Sequence, residues 1–309
     1  MSERVNSTWI VPSDMHGLRV DQYLTRKIGR ISRMRAARII EAKDFLLDGN
    51  PVKLSLRVKE GQTATLFRFA PDQPDDVHSF DVKIVFENDA IVVVNKPYGM
   101  SIHPSANCLY KTVTYWLKAK YPGQKINPCH RIDKETSGLV VCAKKRDTES
   151  IIKKLFMKGE VKKSYLAVVQ GQLKRSQLID KSLGLQGNKG LVAIRMIEDS
   201  DGKACFTKVR PIKYCDDSDR TLVVCRPYTG RQHQIRAHLS LIGHGIVGDK
   251  LYTHGEIFFD DWCNRRICDA QLIHPRHALH ASSLAFKIDE KKYIFKASIP
   301  GDFYGLINL

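Results

Sequence analysis

The stretch that most limits how this chain can fold is the apolar run Gly138-Leu139-Val140-Val141-Cys142-Ala143. An unbroken apolar run of this length between polar segments suits a buried strand. The densest polar block of the sequence, His130-Arg131-Ile132-Asp133-Lys134-Glu135-Thr136-Ser137, runs directly into it. Polar groups carried on a loop that a rigid element holds are where chemistry tends to sit.

The flanking segments alternate between strand and helix patterns. Val82–Phe86 and Ile91–Val94 read as strands joined through Glu87-Asn88-Asp89, and Thr112–Lys120 reads as a helix. Asp147 is expected to cap a helix carrying Ile151, Ile152, Leu155 and Phe156, which stops at Gly159. Tyr165–Val169 reads as a strand, and residues 204–227 as two more around the turn Asp216–Asp219. Arg231–Ile242 fits a helix with Ile235, Leu239 and Ile242 on one face. The expected fold class is α+β, with a mixed, largely antiparallel sheet.

Ahead of this region, residues 17–69 read as a small basic α/β module. Ser32 caps a helix with Met34, Ala37 and Ile40 at helical spacing, and Asp48-Gly49-Asn50 turns between two short strands. Residues 26–43 hold seven basic side chains (Arg26, Lys27, Arg30, Arg33, Arg35, Arg38, Lys43) against one acidic residue, Glu41. Solvated charge runs normally mix signs, so a phosphate-contacting face is the favoured reading. Residues 1–16 are taken as an N-terminal extension. Residues 70–80, rich in Pro and Asp, are taken as a linker, and 81–309 as the main domain.

Bulk numbers agree with a polyanion-binding protein. The chain has 309 residues, 43% of them hydrophobic, and a formal net charge of +17. At about 100–200 residues per domain, that length means two domains. Such an excess of positive charge repels itself and is usually tolerated because a polyanion neutralises it. No run approaches the ~20 apolar residues of a spanning helix, and the N-terminus lacks the pattern of a signal peptide. A cytoplasmic monomer without a membrane partner is expected. The eight cysteines form no C-x-x-C pair. Cys263 and Cys268, followed by His274 and His277, have the wrong spacing for the usual zinc patterns, so no metal is expected there.

Three constellations carry possible chemistry. Arg131 and Asp133 stand two apart, so in extended chain they share a side, and a nearby Arg keeps a carboxylate ionised for proton removal or attack. A structural ion pair would look the same, and spacing leaves both open. In Tyr228-Thr229-Gly230-Arg231-Gln232-His233, a glycine turn opens a helix whose first turn carries Arg231, a candidate anion site; an ordinary basic helix is the alternative. In Lys162-Lys163-Ser164-Tyr165, Lys163 and Tyr165 share a strand face, where Tyr165 can stack on a base, act as an acid or base, or simply pack. Gly243–Gly248 spells G-x-G-x-x-G but follows a helix, so it reads as a turn and not as a nucleotide site.

Together and in this order, these segments resemble the RluA-type family of RNA pseudouridine synthases over most of residues 85–285. HRIDKETSGLVVCAKK is similar to that family's active-site signature, with Ile132 where Leu is usual. Asn95-Lys96-Pro97-Tyr98-Gly99 through His103-Pro104, KKSY, TGRQHQIRAHL and Ala278-Leu279-His280-Ala281 resemble further family motifs. Leu18–Leu24, Ser32-Arg33 and Val52 resemble an S4-type RNA-binding domain, although Lys43-Asp44-Phe45 stands where a Gly-basic-Val turn is usual.

The resemblance implies base flipping, glycosidic cleavage and reattachment through C5, with no cofactor. It implies Asp133 as the catalytic carboxylate, Tyr165 stacked on the uracil and a candidate to remove the C5 proton, and Arg231 holding Asp133 ionised. Arg131 would fill the space the flipped base leaves, beside His130, Thr136 and Lys163 at the substrate. Arg19, Arg33, Arg35 and Lys43 would contact RNA from the front module. The expected partner is RNA, by family habit that of the large ribosomal subunit. The competing readings are a non-catalytic RNA-binding or ribosome-assembly factor on the same scaffold, and, more weakly, a nuclease, for which the needed carboxylate cluster is missing around Asp133.

Overall fold

The structure is a computed structural model and describes residues 4–29, 31–70, 72–105, 108–268 and 271–308. Arg30, one of the seven basic residues above, lies outside the described residues. The chain divides into two compact units, one of residues 1–71 with 185–195, the other of residues 72–184 with 196–309.

The front unit carries a four-stranded sheet ordered β1-β4-β2-β3, built from β1 (Arg4–Ile10), β2 (Phe45–Leu47), β3 (Asn50–Pro51) and β4 (Thr63–Phe69), with α1 (Val20–Ile28) and α2 (Arg33–Glu41). The segment before residue 17 is therefore more than an extension, because β1 pairs along its length with β4. Ser32 caps α2 as expected, its Oγ accepting the Arg35 amide at 3.2 Å. Beyond α2, Lys43 is left-handed at φ 59°, with its amide on the Ile40 carbonyl and that of Asp44 on Ile39. These two bonds make a Schellman stop, which favours glycine at that position. Val20, Tyr23, Leu24, Ile40 and Phe45 are among the residues that fill this unit's core.

In the larger unit, β5 (Lys83–Glu87), β6 (Ile91–Lys96), α3 (Val113–Lys120), β7 (Asn127–Pro128), β8 (Ser137–Ala143), α4 (Arg146–Lys158), β9 (Lys162–Gln170) and β10 (Gln177–Asp180) follow in turn. After β11 (Leu183–Leu185) and β12 (Met196–Glu198) come β13 (Phe206–Cys215), β14 (Arg220–Pro227), α5 (Gln234–Leu241), α6 (Glu256–Cys263), β15 (Leu279–Ile288), β16 (Lys291–Lys296) and α7 (Tyr304–Ile307). A ten-stranded sheet runs β10-β13-β14-β9-β15-β8-β6-β5, with β16 on β15 and β7 on β8. Every pairing in it is antiparallel except β15 with β8. The class is α+β, as expected. Strand β8 is buried at every residue, as its apolar composition requires.

Three further expectations need correction. The cap of α4 is Lys145, and Asp147 lies in its first turn. Helix α5 begins only at Gln234, after a left-handed His233 at φ 52°, so Arg231 precedes the helix. The stretch expected as a linker is packed: Val77 is buried in the core with Val92, Val94 and Val140, and the Asp72 carboxylate accepts the amides of Leu109, Tyr110 and Lys111. Tyr165 touches both this core and the one built around Val168, Val223 and Leu239, so it stands at the centre of the sheet. No described helix is long and apolar enough to cross a membrane.

Candidate active site

A cleft of about 850 Å³ opens where the loop before β8, the end of α4, strand β9 and the turn before α5 meet. Its walls include His130, Arg131, Asp133, Thr136, Lys163, Tyr165 and Arg231, so the residues predicted at the catalytic and substrate-binding positions converge on one site.

The Asp133 loop is tied down from several sides. Gly138 takes φ 114°, and a Cβ there would lie 2.3 Å from the Ala281 carbonyl oxygen, so only glycine lets β8 enter beside β15. The Thr136 amide donates to the Asp133 carbonyl at 3.1 Å and closes the turn. Thr136 Oγ1 meets His277 Nε2 at 2.7 Å and Ser137 Oγ meets His280 Nδ1 at 2.9 Å. Lys250 donates to Glu135 at 2.8 Å. Fully buried Lys96 donates to the carbonyls of Pro97, Met100 and Lys134 at 2.8, 2.8 and 3.2 Å. Burial pushes its ammonium down to about 7, while three acceptors at one nitrogen favour the charged form, which has three protons to give.

Asp133 is paired with Arg236, not with Arg231. Arg236 Nη1 donates to Asp133 Oδ2 at 3.0 Å. The same guanidinium donates Nε and Nη2 to Asp249, at 2.6 and 3.1 Å. Burial by itself raises the Asp133 pKa, and the charge of Arg236 overrides it and holds the carboxyl at about 2. Asp133 is therefore ionised at neutral pH. Arg231 is exposed on the cleft wall, a position for meeting a phosphate at the mouth.

Tyr165 is raised above the usual phenol range by burial and by the negative charge of Asp133, so it is a neutral phenol at neutral pH. Burial lowers the Lys163 ammonium, and its Nζ reaches the Thr229 carbonyl at 3.2 Å. His130 stacks on Phe156 with centroids 4.4 Å apart, and its Nε2 accepts the Val141 amide at 3.0 Å. Burial and the Lys163 charge lower its pKa to about 3, so the ring is neutral with its proton on Nδ1. Thr136 is buried with its hydroxyl on His277, so it braces the loop at the cleft wall. Arg131 is exposed at the cleft.

Two residues of this centre escaped sequence reasoning. Arg236 lies in the TGRQHQIRAHL segment, but its inward direction depends on where α5 starts. Asp249 follows the glycine turn 243–248, read only as a turn. Its burial at 0% exposure beside an arginine gives it meaning. Of the suspected Cys/His cluster, His274 Nδ1 donates to the Arg276 carbonyl at 2.7 Å and His277 serves Thr136, while Cys263 and Cys268 are exposed thiols.

The RNA pseudouridylate synthase family model matches residues 90–241. A ribosomal large subunit pseudouridine synthase D of Nitrosomonas europaea is 31% identical over 311 residues, covering 96% of this chain and 86% of that protein. The chain belongs to the RNA pseudouridylate synthase family. It is an enzyme that isomerises uridine in RNA to pseudouridine. The mitochondrial tRNA pseudouridine(32) synthase of Saccharomyces cerevisiae is 33% identical over 223 residues, 72% of this chain and 47% of that protein, so the chain spans about half of that relative. The solved structure of human RNA pseudouridylate synthase domain containing 1 superposes with a TM-score of 0.57 at 25% identity, over 77% of this chain and 89% of the human one. The segments His130–Gly138, Lys162–Tyr165 and Thr229–Leu239 all lie within the residues that the family model matches.

Proposed function

We propose that this chain converts uridines of large-subunit ribosomal RNA to pseudouridine in the cytoplasm, with Asp133 as its catalytic carboxylate. The observation that carries the assignment is an ionised Asp133, held by Arg236 on the wall of a cleft shared with Tyr165. The large-subunit target is taken from the name of the Nitrosomonas relative, which matches both units of this chain.

The reaction conserves every atom of the uridine. The bond from N1 to C1′ breaks, the uracil turns, and C5 bonds to C1′ while C5 loses a proton and N1 gains one. No oxidant, reductant or group donor enters the balance. Extruding the nucleotide from its stack costs a few kcal/mol. Arg131, exposed at the cleft, fills the space the base leaves, and Tyr165 stacks on the uracil. Because its phenol stays protonated, Tyr165 serves as a platform rather than as the base that takes the C5 proton. Asp133 promotes cleavage either by attack on C1′ or by taking a sugar proton, and both routes need the carboxylate form. His130 and Thr136 hold the walls. Arg231 and Lys163 meet phosphate or base at the mouth.

The front unit is read as an S4-type RNA-binding module. Arg33 stays 57% exposed and Arg19 43% exposed in their side chains, although both pair with Asp21. With Arg35 and Lys43 they present cations to the RNA backbone. Asp133→Asn tests the assignment. The variant should bind large-subunit ribosomal RNA from cells lacking the chain as the wild type does, yet form no pseudouridine on sequencing. Full activity in that variant would refute the role. Modification of transfer RNA alone by the wild type would refute the ribosomal target.

A further inference from the structure

Arg236 is shared by two carboxylates, and the shares are unequal. Asp249 takes the Nε–Nη2 edge of the guanidinium with both oxygens. Asp133 is left with Nη1 alone, through Oδ2. Asp133 Oδ1 accepts no hydrogen bond from the described residues. A carboxylate that meets a guanidinium without a competitor tends to take two parallel N–H bonds. Each such bond must be loosened before the oxygen can act on a substrate.

We infer that Asp249 is a positioning residue for uridine isomerisation: by occupying the forked edge of Arg236 it keeps Asp133 on a single hydrogen bond and leaves Oδ1 free to act on the ribose. The inference rests on Asp133 being the catalytic carboxylate. The surroundings of Asp249 prevent it from yielding that edge. Its Oδ1 also accepts the amides of Leu251 and Tyr252 at 3.0 and 2.9 Å. The Tyr252 ring lies 5.0 Å from the guanidinium carbon and covers its face, while the Tyr252 hydroxyl accepts the Met196 amide at 2.8 Å and lies 3.1 Å from His233 Nδ1. The arginine therefore has a fixed plane and a fixed outward corner. Charge follows the same division. One guanidinium faces two carboxylates, so its attraction is not spent on Asp133 alone.

Asp249→Asn keeps the shape and the two backbone acceptor contacts but removes the charge. With the front unit intact and enzyme in excess over large-subunit ribosomal RNA from cells lacking the chain, its single-turnover rate should fall at least about ten-fold while RNA Kd stays within about two-fold. A crystal structure of the variant should show Arg236 donating to both oxygens of Asp133. A smaller rate loss, or a loss found wholly in Kd, overturns the inference. If Asp249→Asn does not fold, Asp249→Glu decides: moving the fork by one methylene should cost at least about five-fold in the same rate, and a smaller loss overturns the inference. Asp133→Asn runs alongside. If it stays active, the catalytic assignment fails and takes this inference with it. If it is inactive while Asp249→Asn turns over like the wild type, only the positioning role fails.

Discussion

The ammonium of Lys96 donates to the carbonyl oxygen of Lys134 and so ties the end of β6 to the loop that carries Asp133. The same carbonyl also accepts the Gly99 amide at 2.9 Å, so loop 97–100 and the Asp133 loop are fastened at one point. Replacing Lys96 by Met keeps the volume and removes the donor that the carbonyls of Pro97, Met100 and Lys134 share, of which Lys134 keeps the Gly99 amide. It should destabilise the larger unit by about 3 kcal/mol, read from denaturant unfolding. Activity should fall as well, because the Asp133 loop loses its brace. Unfolding unchanged within error would mean water replaces the ammonium.

Removing the cation from the carboxylate pair should expose the titration of Asp133. In the wild type the carboxyl sits at about 2 against an ordinary 3.8, so its contribution to stability is complete above about 4 and is lost as pH falls through about 2. The wild-type rate should therefore show no acid limb from Asp133 between about pH 4 and 8. In Arg236→Met, the largest charge opposing burial is gone and the Asp133 pKa rises, so an acid limb should enter that range. Two carboxylates left without their partner should also cost about 3–5 kcal/mol of stability. A flat pH–rate profile in the variant would count against Arg236 as the group that keeps Asp133 charged.

Gly138→Ala tests how closely β8 and β15 approach. The added methyl would sit 2.3 Å from the Ala281 carbonyl oxygen, at a φ that L side chains rarely adopt. Overpacking and strain together should cost about 3 kcal/mol or more. The expected result is a protein with a lower melting temperature and a single-turnover rate down at least about 100-fold, since Asp133 lies five residues upstream on the displaced loop. Near-normal turnover would show that the strands can part without disturbing the site.

Lys43→Gly should stabilise the front unit by about 1 kcal/mol, because the Schellman position after α2 needs a left-handed residue. Hydrogen exchange of the β2 and β4 amides measures this within the full chain. If Lys43 also meets a phosphate, the variant should bind RNA more weakly, with a salt slope shallower by about one. An unchanged slope would remove Lys43 from the RNA contacts while leaving the stability gain intact.

Much of this protein could be read along the chain. The β8 strand, the Ser32 cap, the Asp48-Gly49 turn and the positions of Asp133, Lys163 and Tyr165 all follow from short-range pattern or motif order. Such features depend on neighbours a few residues away, whose spacing the sequence displays. What the chain could not display was decided by contacts across long separations and by the rotation of single elements. Strand β1 finds β4 some sixty residues on, with no local mark of that pairing in Arg4–Ile10. The left-handed turn at His233 delays the start of α5, which leaves Arg231 outside the helix and turns Arg236 inward to Asp133. Asp249 joins them only because the fold returns a glycine turn to the buried side of that helix. Sequence thus named the candidate carboxylate, and tertiary structure chose its arginine, because a buried charge takes the partner that packing places within hydrogen-bond reach.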